Sequence, residues 1–164
     1  IVTIPMTLTE ASVRSDLARL LLAAVEESGR PRCDIARDAK VHRDALRRIL
    51  AGTRSATIGE AMRILAASGV APHAQMLLFL TCGSDQAVAW LHSDLALFFS
   101  EFSSEFPIAL ERILGNQITD VKPRWAKGTA NRVARLLSDH IIELERKDAF
   151  LGNFFAGDPG GAHA

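Results

Sequence analysis

The residues best suited to chemistry lie between Arg30 and Arg54. There Arg30, Arg32, Arg37, Lys40, Arg43, Arg47, Arg48 and Arg54 outnumber Asp34, Asp38 and Asp44 by eight to three. A guanidinium group forms two parallel hydrogen bonds to a phosphate or to the O6/N7 edge of guanine, and an ammonium acts as a point charge on phosphate. The chemistry on offer is recognition of an anionic polymer, not bond making. The chain as a whole is neutral, with 19 basic and 19 acidic residues, and from residue 69 onward acidic residues outnumber basic ones by eleven to eight. The positive charge is therefore local. A solvated helix face would carry the same residues, so charge alone leaves both readings open.

Enzymatic chemistry has no comparable cluster. His42, His73, His92, His140 and His163 are scattered, with no pair at metal-ligand spacing, and neither Cys33 nor Cys82 lies near one in a nucleophile setting. Gly52, Gly59 and Gly69 are isolated and form no phosphate loop. Asp94 and Glu101 stand seven residues apart, a spacing more usual for solvated surface than for a general-acid pair. The chain is expected not to be an enzyme, and no cofactor or metal is expected. Two distant cysteines predict reduced thiols in a cytoplasmic protein. No stretch approaches the ~20 apolar residues of a membrane span, and no basic segment precedes an apolar core near the N-terminus, so neither a membrane partner nor a secretory signal is expected.

The 164 residues are 48% hydrophobic and 23% charged, with no Tyr. That profile predicts a packed all-α chain. Thr7 and Glu10 have capping-box spacing ahead of a first helix carrying Val13, Leu17, Leu20, Leu21, Ala24 and Val25. Gly29 and Pro31 stop it. A short helix over about Arg32–Ala39 follows, then a break at Lys40-Val41, then a third helix over about His42–Ala51. Thr57 and Glu60 form a second capping box, opening a helix with Ile58, Met62, Leu65 and Ala66 on one face. A fifth helix spans about Pro72–Leu80, and Cys82-Gly83-Ser84 reads as a junction.

The second half is helical too. Val88, Leu91, Leu95, Phe98, Phe99 and Phe102 make an apolar stripe. Ser104 with Pro107 restarts a helix burying Phe106, Leu110, Ile113 and Leu114. Residues 116–128, with Pro123 and Gly128, read as a linker or irregular loop. A final helix, about Thr129–Phe155, carries Val133, Leu137, His140, Leu144, Lys147/Asp148 and Leu151 at alternating four- and three-residue steps. The expected domains are residues 7–82, 84–155 and a flexible tail at 156–164.

Two short helices joined by a tight turn are the geometry that lays one helix in a DNA major groove. Ala36 supplies the close approach of the pair. Ile35, Ala39, Val41, Leu46 and Ile49 supply the underside, leaving His42, Arg43, Asp44, Arg47 and Arg48 outside. The run from Glu27 through Arg54, continued from Thr57 to Gly69-Val70, resembles the phage repressor/Cro (XRE-type) helix-turn-helix regulators over residues 12–80. Three positions depart from that pattern. Lys40 stands where the family has Gly, and Pro31 and His42 stand where it has Ser or Thr caps.

The resemblance implies a five-helix DNA-binding domain followed by a helical dimerisation region. It implies base contacts from His42, Arg43, Asp44, Arg47 and Arg48, with Arg43 and Arg47 foremost. Phosphate contacts fall to Arg32, Lys40, Arg54, Ser55 and Thr57. His42 either contacts DNA or ends the turn, and Asp44 either accepts from cytosine or pairs with Arg47 or Arg48. The implied partners are double-stranded DNA and a second copy of the chain, joined through the Phe-rich and final helices. Those phenylalanines would equally form a private core. The expectation is a repressor binding an inverted-repeat operator as a homodimer. The alternatives are an activator, or a protein-interaction module docking an antitoxin or anti-repressor partner.

Overall fold

A computed structural model describes the backbone of residues 9–156 and the side chains of residues 9–147. The expected capping residue Thr7, the C-terminal tail from Gly157 and the side chains of Asp148 and Leu151 lie outside these bounds. The described residues are all-α: α1 (Glu10–Glu27), α2 (Arg32–Asp38), α3 (Arg43–Leu50), α4 (Ile58–Ala67), α5 (Pro72–Cys82), α6 (Ser84–Ala89), α7 (Asp94–Leu114) and α8 (Ala126–Ala156), with no strand among them. Two 3-10 turns, Gly115–Asp120 and Pro123–Trp125, precede α8. The chain divides into units of residues 1–109 and 110–164, the division falling inside α7.

In the first unit α1 packs on α3, α4 and α6, and α2 packs on α3 and α4. Leu20, Leu21, Ile35, Leu46, Ile49, Ile64, Leu65 and Leu78 are fully buried between them. Ala24, Ala36, Ala39 and Ala61 are buried as well, and their single methyl groups let the helix axes approach. All five residues read as the underside of the α2–α3 pair are in this core.

Helix ends explain why the elements stop where they do. The Thr9 hydroxyl caps α1 by accepting the Ser12 N–H at 3.2 Å. At α4 the expected box is complete: the Thr57 hydroxyl accepts the Glu60 N–H at 3.1 Å, and the Thr57 N–H donates to the Glu60 carboxylate at 2.9 Å. Helices α1, α3 and α4 are each followed by a left-handed glycine, Gly29, Gly52 and Gly69. Helix α2 is followed by Lys40, with φ +54°. Around it Val41 N–H reaches the Ala36 carbonyl at 2.9 Å and Lys40 N–H the Arg37 carbonyl at 3.1 Å, the paired bonds of a Schellman ending.

Five expectations are corrected. In α4 the buried residues are Ala61, Ile64, Leu65 and Ala67, whereas Ile58 is 71% exposed and Ala66 is exposed. Ile58 is the first residue of the helix, beyond the reach of the core. Cys82-Gly83-Ser84 is a turn inside the first unit. Gly83, at φ +88°, reverses the chain so that α6 packs on α1 and α5, burying Ala87. Helix α7 runs unbroken through Pro107, which is exposed. On an exposed face water can take the place of the bond that its missing N–H removes, so the helix need not restart. Ile113, expected to be buried, is 75% exposed. The linker expected over 116–128 is instead the 3-10 turns and the first turn of α8.

Candidate nucleic-acid interface

Helix α3 separates cleanly into two faces. Leu46, Ile49 and Leu50 are buried, and Arg43, Asp44, Arg47 and Arg48 are exposed. At 100° per residue the four exposed residues fall in one arc of about 140°. All five candidate base-contact residues therefore stand on or at the head of one solvent-facing surface. Lys40 is exposed in the turn just before it.

His42 is the N-cap of α3, in extended backbone, and its Nδ1 accepts the Asp44 N–H at 3.3 Å. It thus ends the turn in the place where a Ser or Thr hydroxyl would. Asp44 pairs with Arg47 one helical turn on, at 3.8 Å with both side chains over 70% exposed. A pair that solvated holds little energy and opens readily for another partner.

The remaining cations divide by what they hold. Arg30 donates to the Ala67 carbonyl at the end of α4 and pairs with Asp38, holding that carboxyl below its usual range. Arg37 pairs with Asp34 and Asp38. Arg32, a candidate phosphate contact, lies 3.6 Å from Glu26 with both groups exposed. Arg54, another, is more firmly held, with Nη2 on Glu60 at 2.9 Å and a side chain two-thirds buried. The Glu60 carboxyl is held below its ordinary range, first by the Thr57 N–H and then by Arg54. Thr57 is engaged in the same network, whereas Ser55 is exposed beside it. Lys40, Arg43 and Arg48 have no ion-pair partner among the described residues, although all three are exposed.

No protein-family model, no curated protein and no solved structure matches this chain.

Sequence reasoning overlooked two arginine clamps. Arg63 on α4 donates its Nε–H to the Ala39 carbonyl at 2.8 Å, tying down the end of α2 just before the turn. Arg30, just ahead of α2, bridges the end of α4 at the Ala67 carbonyl and the end of α2 at Asp38. Their partners lie 24 and 37 residues away, so no local spacing signals either bond. A cavity of about 200 Å³ opens between the α4–α5 and α6–α7 turns. Its buried amide, Gln75, spends both of its N–H groups on the Trp90 and Leu91 carbonyls. Among the described residues no group of three metal-ligating side chains occurs, and no helix is long and apolar enough to cross a membrane.

Outside this surface, Phe98, Phe102 and Phe106 stack along α7 with centroids 6.0 and 5.1 Å apart. Phe99 packs on the core, while Phe98 is exposed. In the second unit Val133 and Leu137 are half-buried, and Leu136, Ile141 and Leu144 are exposed.

Proposed function

We propose that the first unit binds double-stranded DNA sequence-specifically, with α3 in the major groove, and that the protein is a transcriptional regulator. The observation that carries this reading is the sorting of the cations. Arg30 and Arg54 are spent on contacts within the fold, whereas Arg43, Arg47 and Arg48 share the exposed face of α3 with Lys40 just before it, and of these only Arg47 has an ion-pair partner, Asp44, among the described residues. Arg43 and Arg47 are assigned to base edges and Lys40 to phosphate. The resemblance to the repressor/Cro regulators supports the same docking. Repression by occupying a promoter is favoured, because it needs DNA binding alone.

A single module of this size binds DNA weakly, and the family it resembles reads two half-sites as a dimer. A homodimer through the C-terminal helices is part of the proposal. It is supported by the band Val133, Leu136, Leu137, Ile141 and Leu144 along α8, an apolar surface that a second copy would cover.

Salt dependence separates DNA binding from docking to another protein. Fluorescence anisotropy on a labelled duplex pool is expected to give an affinity that falls steeply between 50 and 200 mM salt, by orders of magnitude when several phosphates are contacted. Absence of duplex binding at low salt would contradict the proposal and favour an interaction module.

A further inference from the structure

We infer that His42 reads DNA with one N–H donor, Nε2–H, whose presence the fold dictates. The inference rests on the DNA-binding reading above and assigns a role within it. His42 Nδ1 lies 3.3 Å from the Asp44 N–H. A backbone N–H can only donate, so Nδ1 must be the unprotonated, accepting nitrogen of the ring. The neutral ring then carries its proton on Nε2. The side chain is exposed, and no acceptor among the described residues takes that proton. The capping bond therefore fixes the tautomer and, with it, a single outward donor at the head of α3, next to Arg43.

Capping alone does not account for histidine at this position. Serine, threonine, asparagine and aspartate cap as well or better and reach less far. What histidine adds is a second nitrogen about 2 Å beyond the capping one, carrying a donor on a ring with only two rotatable bonds. A lone N–H donor matches a lone acceptor. In a duplex that is purine N7, guanine O6 or thymine O4 in the major groove, or a phosphate oxygen, all of which accept such a bond.

The test uses the full chain and its His42→Ser variant on a duplex selected with the unsubstituted protein. Serine keeps the cap and removes the outward donor. The variant is expected to melt no earlier than the parent and to bind roughly tenfold more weakly. A series of duplexes then carries 7-deazapurine or 2-aminopurine at single purines, 5-methyl-2-pyrimidinone at single thymines, or methylphosphonate at single linkages, so that each acceptor is removed in turn. One substitution is expected to weaken the parent by a similar factor and leave the variant unaffected. A base-analogue position assigns the acceptor to a base, and a methylphosphonate position assigns it to the backbone. Equal binding by parent and variant overturns the inference, as does a loss that no single substitution reproduces. If the serine variant melts early, His42→Thr, another capping residue without a donor beyond the cap, takes its place with the same expectations. Failure of the parent to select any duplex instead overturns the DNA-binding reading itself.

Discussion

Replacing Lys40 by glycine should stabilise the fold and weaken DNA binding in the same molecule. Three of the first four helices end on a left-handed glycine, at φ +64°, +72° and +80°, and only α2 ends on a residue with a side chain. A non-glycine residue in that conformation costs about 1–2 kcal/mol, because its Cβ crowds the carbonyl oxygen. Glycine gives back roughly 0.5–1 kcal/mol through the greater freedom of its unfolded chain. The net expectation for Lys40→Gly is about 0.5–1 kcal/mol of added stability. For a unit of about 100 residues that raises the melting temperature by roughly 2–6 °C. Such strain persists where the side chain does something elsewhere, and Lys40 stands exposed and unpaired at the foot of α3. If it contacts phosphate, each subunit of the variant loses about 0.9 from the slope of log affinity against log salt, or ~1.8 for a dimer. Circular dichroism melts and anisotropy titrations over a salt series read the two effects separately. A variant that is stabilised and keeps the full salt slope would refute the assignment of Lys40 to DNA. A variant that is not stabilised would refute the strain argument.

Other outcomes follow from the same contacts. The Glu60 carboxyl is held below its ordinary value of 4.5. Its contribution to stability is therefore complete above that pH and is lost as pH falls through the lower folded value. The melting temperature should drop on acidification below pH 4.5, and Glu60→Gln should flatten that drop while costing about 1 kcal/mol at neutral pH. An equal acid response in the variant would exclude the Thr57–Glu60–Arg54 network as its source. Gln75→Leu keeps the volume but leaves the buried Leu91 carbonyl without its donor, while the Trp90 carbonyl keeps the Ser93 N–H, so thermal melts should show a loss of about 1 kcal/mol. Leu137→Asp, in the middle of the apolar band of α8, should convert a dimer to a monomer in sedimentation velocity. An unchanged sedimentation coefficient would place the dimer contact elsewhere.

What could be read from the sequence was what local spacing determines. Thr57 and Glu60 cap α4 as expected because both halves of the box lie within one turn. Gly29, Gly52 and Gly69 mark helix ends because their left-handed backbone suits glycine. The alternation of buried and exposed residues along α3 follows from helical period. Errors arose where tertiary placement overrode local signals. Ile58 has the period of an inward residue but sits ahead of the core, and Pro107 has the look of a helix start but lies on an exposed face. α6 follows a glycine that reads as a junction, and only its packing on α1 and α5 shows that it belongs to the first unit. At the candidate site the outward residues of α3 were legible. Which cations are already engaged was not, because Arg30, Arg54 and Arg63 find their partners through the folded chain.

The most direct test of the central claim is selection of bound sequences from a random duplex pool at near-physiological salt, run with the full chain and with Arg43→Ala. The account predicts an enriched inverted repeat for the parent, and for the variant a loss of about 1–3 kcal/mol with relaxed preference at one position per half-site. Enrichment of no sequence by the parent would contradict the account.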